Sequence, residues 1–426
     1  MGIKDKYFDT PEEAIKYITS RPPRTYFANS SEKTVLDLAY ERIYRAYELF
    51  DTIAVGFSGG KDSTACFNLT LKVAQDLNKL PLHVFFWDEE AIPYQTENYV
   101  RRVAKIPEIR FRWFCLPVKH RNACSRNYPY WSPWDPACQE LWVRSMPPEA
   151  TTYLKGFPMG GEPGDRLSIP DSDGLLYPPG EFGNVGLIMG IRAQESMIRR
   201  SAVLRRKEEN YIMTTNNNKT NPGNVFKVYP IYDWTDNDVW TAPVKLGWDY
   251  NEAYDVLTQA GIDPHNQRCS PAFGEEPMEG FDRFKTCFPE IWGKMTMRVP
   301  GANAAVRYAK TELWGYNEPI QKPDGVSWQE HIAQLIEKFP EDERWHVASN
   351  IRMLINRHYG KTTDPILPYT AHPLTGMSWK YLASMAVRGD FKERRRFGVA
   401  NKIAKSEEKY LNRWEKYCQE REKEGL

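Results

Sequence analysis

The fold is decided by the stretch Thr52-Ile-Ala-Val-Gly-Phe-Ser-Gly-Gly-Lys-Asp-Ser-Thr64. Its first six residues form a short, mostly apolar run of the kind that is buried in a parallel sheet. Helical spacing of apolar residues follows from about Ser63 to Leu77. The two adjacent glycines between these segments let backbone amides approach a bound group without interference from a Cβ atom. The stretch therefore predicts a strand, a glycine loop and a helix whose N-terminus binds an anion.

The loop carries further donors and a charge. Ser58 and Ser63 add hydroxyl groups and Lys61 adds a positive charge at the positive end of the helix dipole. The spacing is not the Walker A pattern, because the glycines are adjacent and precede the Lys-Asp pair. A plain Gly-Gly turn that caps a helix is the alternative interpretation. We expect a phosphate-binding loop made of Ser58, Gly59, Gly60, Lys61, Asp62 and Ser63. Asp62 is expected either to hold Mg²⁺ between phosphates or only to complement the helix dipole.

Strands and helices alternate on both sides of this stretch. An amphipathic helix is predicted before it, from Ser31 to about Phe50, and a second strand after it, at Leu82 to Trp87. A helix at about 96–105 and a strand at 109–116 continue the βαβ pattern, whose crossovers are right-handed in nearly all proteins. The sequence predicts an α/β fold with an open, mostly parallel twisted sheet, helices on both faces, and a helical C-terminal region.

This alternation also predicts the domain organisation. Residues 1–50 are expected to form N-terminal helices that pack on the core, and residues 51–275 a nucleotide-binding α/β domain. An insertion rich in Pro, Gly and Trp interrupts that domain at about 118–184. Residues 276–426 have charged, Trp-containing helical periodicity and are expected to form a separate helical domain.

Composition excludes several classes of protein. The 426 residues are 41% hydrophobic, which argues against a wholly disordered chain, and 57 Lys and Arg balance 56 Asp and Glu. A net charge of +1 gives no overall attraction to nucleic acid or to an anionic membrane, so an anionic partner must meet a local patch. There is no apolar run of about 18 residues and no signal-like start. We expect a cytoplasmic protein with no membrane contact.

Seven scattered cysteines without a C-x-x-C pair argue against a disulfide framework and against an iron–sulfur cluster. A zinc site in the insertion is a weaker alternative, since the spacing of its candidate ligands matches no standard pattern. Those candidates are Cys115, His120, Cys124 and Cys138.

Polar side chains follow two other predicted strands. Arg192 comes just after the strand Val185–Gly190, at the sheet edge where open parallel sheets bind ligands, and its guanidinium suits a phosphate or sulfate. Arg199 or Arg200, about two helical turns further on, is expected to bind a second anionic group. Asp88 follows the second strand, where it predicts either a contact to ribose or base, or a plain acidic turn.

At this point the chain resembles a known family. Ser58-Gly-Gly-Lys-Asp-Ser63 is similar to the signature of the PP-loop ATP pyrophosphatase superfamily. Gly190-Ile-Arg-Ala-Gln-Glu-Ser196 with Arg199 and Arg200, and Tyr229-Pro-Ile-Tyr-Asp-Trp-Thr-Asp-Asn-Asp-Val-Trp240, resemble elements of its phosphoadenosine phosphosulfate (PAPS) reductase-like branch. The resemblance covers about residues 35–275 and implies an adenine nucleotide alpha hydrolase-like fold that binds ATP or a PAPS-like nucleotide with Mg²⁺.

Two further segments resemble one sub-branch. Trp87-Asp-Glu-Glu90 and Trp131-Ser-Pro-Trp134 look like the group with a C-terminal domain of unknown function, typified by immunoglobulin-binding regulator A. Relatives of this kind imply a ParB-like protein partner or nucleic acid. Two basic clusters are candidate surfaces, although charge runs usually form solvated faces: Lys392-Glu-Arg-Arg-Arg396, and Arg101, Arg102, Lys105, Arg110 and Arg112.

Three functions remain open on sequence. The leading hypothesis is cleavage of the α–β bond of ATP to adenylate an acceptor, with Lys61 and Arg192 as the catalytic cations. The second is a sulfonucleotide reductase that uses PAPS and a thiol donor. For this second function Cys269 is the best thiol, since Arg268 and His265 are placed to lower its pKa, but ordinary burial of a small apolar side chain is the favoured interpretation. The E-C-G-x-H motif of such reductases is absent. The third is a nucleotide-sensing regulator.

Overall fold

The computed structural model describes residues 33–122, 124–125, 127–195, 199, 203, 209–214, 220, 222–270, 273, 281–308, 320–373, 375–389 and 407–426. The chain divides into two compact units, one spanning residues 25–309 and the other containing residues 310–426. The helices between residues 281 and 308 fall within the first unit, whereas the domain boundary near residue 275 remains a prediction from sequence. Of the predicted N-terminal helices, residues 1–32 lie outside the described part.

The first unit alternates helices and strands, close to the predicted bounds. In chain order its elements are α1 (Val35–Leu49), β1 (Thr52–Gly56), α2 (Lys61–Asp76), β2 (Leu82–Trp87), α3 (Tyr94–Ala104), β3 (Ile109–Phe114), β4 (His120–Arg121), β5 (Tyr130–Trp131), α4 (Ile169–Leu176), α5 (Pro179–Phe182), β6 (Val185–Ile188), β7 (Ile212–Thr214), β8 (Val225–Val228), α6 (Asp236–Leu246), α7 (Ala253–Gln259), α8 (Phe281–Cys287), α9 (Pro289–Arg298) and α10 (Ala302–Tyr308). Short 3-10 helices lie at Pro136–Leu141 and Pro264–Asn266.

Six strands form one sheet in the order β3-β2-β1-β6-β8-β7. All neighbours pair in parallel except β7 and β8, which are antiparallel. The chain order reverses between β1 and β6, so the loop after β1 lies at the point where open α/β sheets bind ligands. The predicted fold class, an open, mostly parallel twisted sheet with a helical C-terminal region, is confirmed.

The two faces of the sheet bury alternate residues of each strand, as the period of a strand requires. On one face, Ile53 and Val55 of β1 pack with α1, α2, α3 and α6. On the other face, Ala54 packs with Phe85 and with residues of the insertion, including Tyr177 after α4. Helices therefore cover both faces, and part of the Pro/Gly/Trp-rich insertion is a layer of the core.

The end of β6 touches the beginning of α2. A Cβ atom on Gly190 would lie 2.6 Å from the carbonyl carbon of Asp62 and 2.7 Å from the backbone nitrogen of Ser63. Only a glycine permits this approach, since real Cβ contacts are longer. The close packing sets the position of the glycine loop relative to the residues that follow β6.

Capping fixes two helix starts that position the site. The sequence Thr235-Asp-Asn-Asp238 predicts a capping box, and Thr235 caps α6 through such a box with Asp238. At α1, Thr34 forms a capping box with Asp37, three residues beyond the predicted start. Arg42 of α1 donates two 2.7 Å hydrogen bonds to the carboxylate of Asp233, which ties this helix to the segment before α6.

The second unit is helical where it is described. It contains α11 (Trp328–Glu337), α12 (Glu341–Tyr359), α13 (Trp379–Arg388) and α14 (Glu407–Lys423). Apolar residues of α11, α12 and α13 share one core. His372 hydrogen-bonds Asp364 at 3.0 Å, and His358 hydrogen-bonds Thr375 at 2.7 Å, so both buried imidazoles have partners. Within the described residues, no helix has the length and apolar character needed to cross a membrane.

The close approach at Gly190 gives a test of the fold. Gly190→Ala should destabilise the protein by about 1–3 kcal/mol, because the added methyl group overlaps the backbone of Asp62 and Ser63. The matched control is Gly293→Ala in α9, where a Cβ meets nothing within 4 Å. This control should be neutral or slightly stabilising, because alanine favours a helix over glycine. Urea unfolding measured by tryptophan fluorescence compares the two, and equal stabilities would contradict the packing described.

Candidate functional site

A cavity of about 530 Å³ opens at the carboxyl ends of β1, β2 and β6. Its wall includes the glycine loop, the residues after β2 and β6, the start of α6, and residues 266–270. Apolar side chains such as Phe85, Trp87 and Ile92 line it together with charged ones. A concave site of this volume, mostly apolar with a few polar groups, is typical of small-molecule binding.

Hydrogen bonds hold the glycine loop in a defined shape. The amide of Ser58 donates to Oγ of Ser63 at 3.1 Å, and that hydroxyl donates to the carbonyl of Gly60 at 2.9 Å. Gly59 has a φ of +71°, a conformation that favours glycine, and its carbonyl accepts a 2.9 Å bond from Asn251. The loop is thus preorganised at the start of α2, whose N-cap is Gly60.

Lys61 is held beside the cavity by the segment that follows α7. Its ammonium donates to the carbonyl of Gln267 at 3.3 Å and lies 5.4 Å from the ring centre of Trp240. Its backbone amide donates to the hydroxyl of Tyr254 at 2.9 Å. Sequence reasoning missed Tyr254 and Gln267, because nothing local marks them as neighbours of the loop.

Arg192 is in the predicted place but is already paired. It is 1% exposed, and its guanidinium pairs with Asp62 of α2 and, at 2.8 Å, with Asp236 of α6. Nη1 contacts Gln194 at 3.5 Å, a long distance for a hydrogen bond. Two carboxylates therefore occupy Nε and Nη2 of the guanidinium, and binding of a phosphate or sulfate by Arg192 stays a prediction.

The position of Asp62 is compatible with both roles expected for it, and the magnesium role stays a prediction. It lies in the first turn of α2, where its charge complements the helix dipole, and it lines the cavity. Burial raises the pKa of its carboxyl, and the positive charges of Arg192 and Lys61 oppose that rise. Oδ1 is engaged by Arg192, and Oδ2 accepts no hydrogen bond from the residues that the structure describes.

Of the two arginines expected to follow, Arg199 lines the cavity and forms an ion pair with Glu195 four residues earlier. Arg200 lies outside the described residues. The structure therefore brings Ser58, Gly60, Lys61, Asp62, Ser63, Arg192 and Arg199 to one cavity. Gly59 shapes the loop behind them.

Asp88 is not part of this cavity. Its carboxylate is buried and accepts hydrogen bonds from the indoles of Trp113 at 2.8 Å and Trp134 at 3.3 Å, and it also pairs with Arg144. These partners use both of its oxygens inside the core. The predicted contact between Asp88 and a ribose or base is therefore corrected to a structural role.

Glu89, the next residue, lines the cavity instead. Its side chain is 26% exposed, and its nearest ionisable neighbour is His120, with Nε2 at 3.9 Å from Oε1. Burial, and next the negative charge of Asp88, raise the pKa of Glu89 to about 7. Burial lowers the pKa of His120 to about 4, so the imidazole is neutral at pH 7.

Cys269 lies at the glycine loop but is not activated. Its Sγ lies 3.5 Å from the hydroxyl oxygen of Tyr254. A Cβ atom added to Gly60 would lie 3.7 Å from the same Sγ. Burial raises the pKa of the thiol, and the hydrogen bond of Tyr254 and the charge of Lys61 offset this only in part. The hypothesis of a lowered pKa is therefore wrong, and Cys269 is buried, as the favoured interpretation predicts.

The remaining candidates are dispersed. Among the described residues, no group of three or more His, Cys, Asp and Glu could hold a metal ion. His120 stacks on Trp131 with ring centres 5.3 Å apart.

The predicted basic cluster that begins at Arg101 is partly neutralised. Arg101 pairs with Glu97 and Glu149, and Arg102 pairs with Asp249 and Glu252. These acids offset part of the predicted basic patch, and Lys392–Arg396 lies outside the described residues.

A protein-family model matches part of the chain. The model of the Domain of unknown function DUF3440 matches residues 261–380. That range begins at the segment that holds Lys61 and continues into the second unit. The chain is also similar to the uncharacterized protein YbdN of Escherichia coli (strain K12), with 27% identity over 382 residues, covering 84% of this chain and 88% of the relative.

Two solved enzymes are similar to the chain at low scores. The first is Candida glabrata FMN adenylyltransferase in complex with FAD and inorganic pyrophosphate, with TM-score 0.33, 13% identity, and coverage of 57% of this chain and 69% of the enzyme. That enzyme has also been solved with ATP. The second is the PAPS reductase of Candida auris in a phosphate complex, with TM-score 0.28, 15% identity, and coverage of 53% and 92%. Such low scores carry no activity over to this chain.

The pairing of Arg192 gives a test of the site's architecture. Arg192→Met should destabilise the protein by roughly 3 kcal/mol, because Asp62 and Asp236 would face each other without a buried cation. Arg110→Met, at an exposed position on β3, is the matched control and should change stability by less than about 0.5 kcal/mol. Urea unfolding at pH 7 measures both. A cost for Arg192→Met no larger than that of the control would show that the ion pairs do not hold the site together.

Proposed function

We propose that the cavity binds an adenine nucleotide such as ATP and that the protein cleaves its α–β bond, adenylating an acceptor and releasing pyrophosphate. The observation that supports this most is the convergence of the preorganised loop, the N-terminus of α2 and Lys61 on one cavity of about 530 Å³. Backbone amides at a helix start with a neighbouring lysine form a strong site for a polyphosphate. The resemblance of Ser58–Ser63 to PP-loop proteins points to the same ligand class.

The loop would act on the leaving group. Negative charge accumulates on the pyrophosphate as the α–β bond breaks, and fixed amide and hydroxyl donors stabilise such charge without reorganising. The amide of Gly60, whose contact to Oγ of Ser58 is long at 3.4 Å, would provide one such donor. The hydroxyl groups of Ser58 and Ser63 would exchange their bonds within the loop for phosphate oxygens. Lys61 would exchange the carbonyl of Gln267 for a phosphate oxygen, which replaces a long bond to an uncharged acceptor with an ion pair.

Arg192 would serve two purposes. Its pairs with Asp62 and Asp236 fix the start of α2, and Nη1, whose contact to Gln194 is long, is the edge that we assign to a phosphate oxygen. This keeps Arg192 at the reacting centre while accounting for its two carboxylate partners. Arg199 would have to leave Glu195 to bind a second anionic group.

The donor set fits Mg²⁺. Mg²⁺ binds proteins through one or two carboxylates and otherwise through waters and phosphate oxygens. Asp62 and Asp236 both line the cavity and present hard oxygen donors on either side of Arg192. When bound, the ion would neutralise charge on the phosphates.

Lys61 is the residue whose change tests this proposal. Lys61→Ala should weaken ATP binding at least roughly tenfold, because one charge-assisted contact of about 1.5–3 kcal/mol is lost. Lys72→Ala, on the same helix and in an exposed pair with Asp76, is the matched control and should bind ATP like the wild type. Calorimetric titration with ATP and Mg²⁺ gives both affinities. Equal affinity for the two variants would contradict phosphate binding by the loop.

Turnover separates the adenylation proposal from simple binding. ATP labelled at the α-phosphate should yield AMP or an adenylated acceptor, with one pyrophosphate per event. Release of orthophosphate alone would contradict cleavage at the α–β bond. Tight binding without turnover would favour a nucleotide sensor over an enzyme.

The position of Cys269 supports one alternative. The thiol lies against the loop that would hold the phosphates of PAPS, which favours a sulfonucleotide reductase. Its raised pKa opposes this, because the thiolate is the attacking species. With PAPS and a thiol donor, sulfite release that Cys269→Ser abolishes would establish the alternative. If no sulfite appears, or if it persists in Cys269→Ser, Cys269 is not the nucleophile.

A further inference from the structure

The sequence Asp88-Glu89-Glu90 places three consecutive carboxylates at the end of β2, and only the middle one lines the cavity. We propose that Glu89 is the general base of the reaction and that the acceptor is a protic nucleophile, a hydroxyl or an amine, from which Glu89 takes the proton. This inference rests on the proposed adenylyl transfer and adds to it the class of acceptor.

The two flanking carboxylates are fixed in the protein interior. Asp88 is held by Trp113, Trp134 and Arg144. Glu90 is fully buried and accepts bonds from the backbone amides of Trp134 at 2.6 Å and Val143 at 2.9 Å.

The backbone also turns sharply at this point. Glu90 has a φ of +64°, an uncommon value for a residue with a side chain. A strained backbone conformation persists only where the surrounding contacts fix it. Here the buried hydrogen bonds of Asp88 and Glu90 fix the turn. The result is that Glu89 alone is presented to the cavity.

Within the part of the chain that the structure describes, no Lys or Arg forms an ion pair with Glu89. The side chain makes no hydrogen bond within the described part of the chain, and His120 at 3.9 Å is neutral. The other ionic groups on the cavity wall largely pair among themselves: Arg192 with Asp62 and Asp236, Arg199 with Glu195, and Asp173 with Lys227. Lys61 and Arg268 also reach the cavity, and neither forms an ion pair with Glu89.

Such a carboxylate is suited to accept a proton. A base works best when its pKa is close to the working pH, and that of Glu89 is raised to about 7. Because Lys61 and Arg192 serve the phosphates, Glu89 is the cavity group left for the acceptor. A structural ion-pair partner would have no reason to be kept both partly exposed and unpaired.

The chemical step balances without a further reagent. The acceptor oxygen or nitrogen forms a bond to the α-phosphorus while the bond from the α-phosphorus to the bridging oxygen breaks. Pyrophosphate leaves with that electron pair, and the acceptor proton passes to Glu89. A carboxylate acceptor has no proton to give at neutral pH, so a base would be of no use to it. This is why the site favours hydroxyl or amine acceptors.

The test measures pyrophosphate release from ATP and Mg²⁺ in buffers between about pH 5.5 and about 8.5. This range covers roughly 1.5 pH units on either side of the raised pKa of Glu89, about 7. Full-length wild type, Glu89→Gln, Glu89→Asp and the exposed control Glu140→Gln are compared, with water, glycerol, methoxyamine or acetate as acceptor. For wild type and control, the rate should rise with pH and level off above about 7, because the base must be ionised. Glu89→Gln should lower the rate at pH 8 by about 10²-fold or more and flatten the profile, and Glu89→Asp should restore part of both.

Two further measurements keep the outcomes distinct. ATP affinity should be equal in wild type and Glu89→Gln, because the residue acts on the acceptor. Glu89→Gln should also raise the melting temperature clearly more at pH 8 than at pH 5. The penalty for the ionised carboxylate in the folded state begins above the unfolded pKa of 4.5, grows up to the folded pKa of about 7 and is complete above it. A folded variant with lost rate and intact binding therefore supports the base.

Other results would overturn the inference. A Glu89→Gln variant with wild-type rate and pH profile rules out the base, and tenfold weaker ATP binding at unchanged turnover makes Glu89 a nucleotide contact. Adenylation of acetate but of no hydroxyl, amine or water contradicts the acceptor class. No pyrophosphate from wild type with any acceptor contradicts the proposed function itself, and the role of Glu89 fails with it.

Discussion

The site depends on the buried guanidinium of Arg192, which joins three segments that are far apart in the chain. Asp62 lies at the start of α2, Asp236 at the start of α6, and Arg192 in the turn after β6. Two negative charges at helix starts also complement the helix dipoles, so each carboxylate is stabilised twice. The absence of a side chain on Gly190 lets β6 approach α2 closely enough for this ion-pair network to form. The glycine loop is thereby held open toward the cavity before any ligand arrives.

Local signals predicted most of the fold. The strand at Leu82–Trp87 has the predicted bounds, and Thr235 caps α6 as expected, because apolar runs and capping residues act over a few neighbouring positions. The strand, glycine loop and helix around Gly59 and Gly60 were predictable for the same reason, since they are contiguous. The insertion was harder: its residues near Tyr177 complete one face of the core, and no periodic pattern in the sequence indicates this.

Long-range contacts decided what the sequence did not show. The sequence alone does not distinguish the three consecutive acids. Contacts with Trp113, Trp134 and Arg144 hold Asp88 in the interior and leave Glu89 at the cavity. At Cys269, burial outweighs the nearby cations, which the burial interpretation predicted. The partners that fix Asp88 all lie more than 20 residues away along the chain, so no local pattern reveals them.

Hydrogen–deuterium exchange with and without ATP and Mg²⁺ tests the central claim most directly, because it locates the ligand without requiring turnover or a known acceptor. Bound phosphates should slow exchange of the amides in residues 58–63 and 190–195, while residues 328–388 of the second unit exchange at unchanged rates. Slowed exchange confined to the second unit, or no change at a saturating nucleotide concentration, would contradict a nucleotide site at the glycine loop.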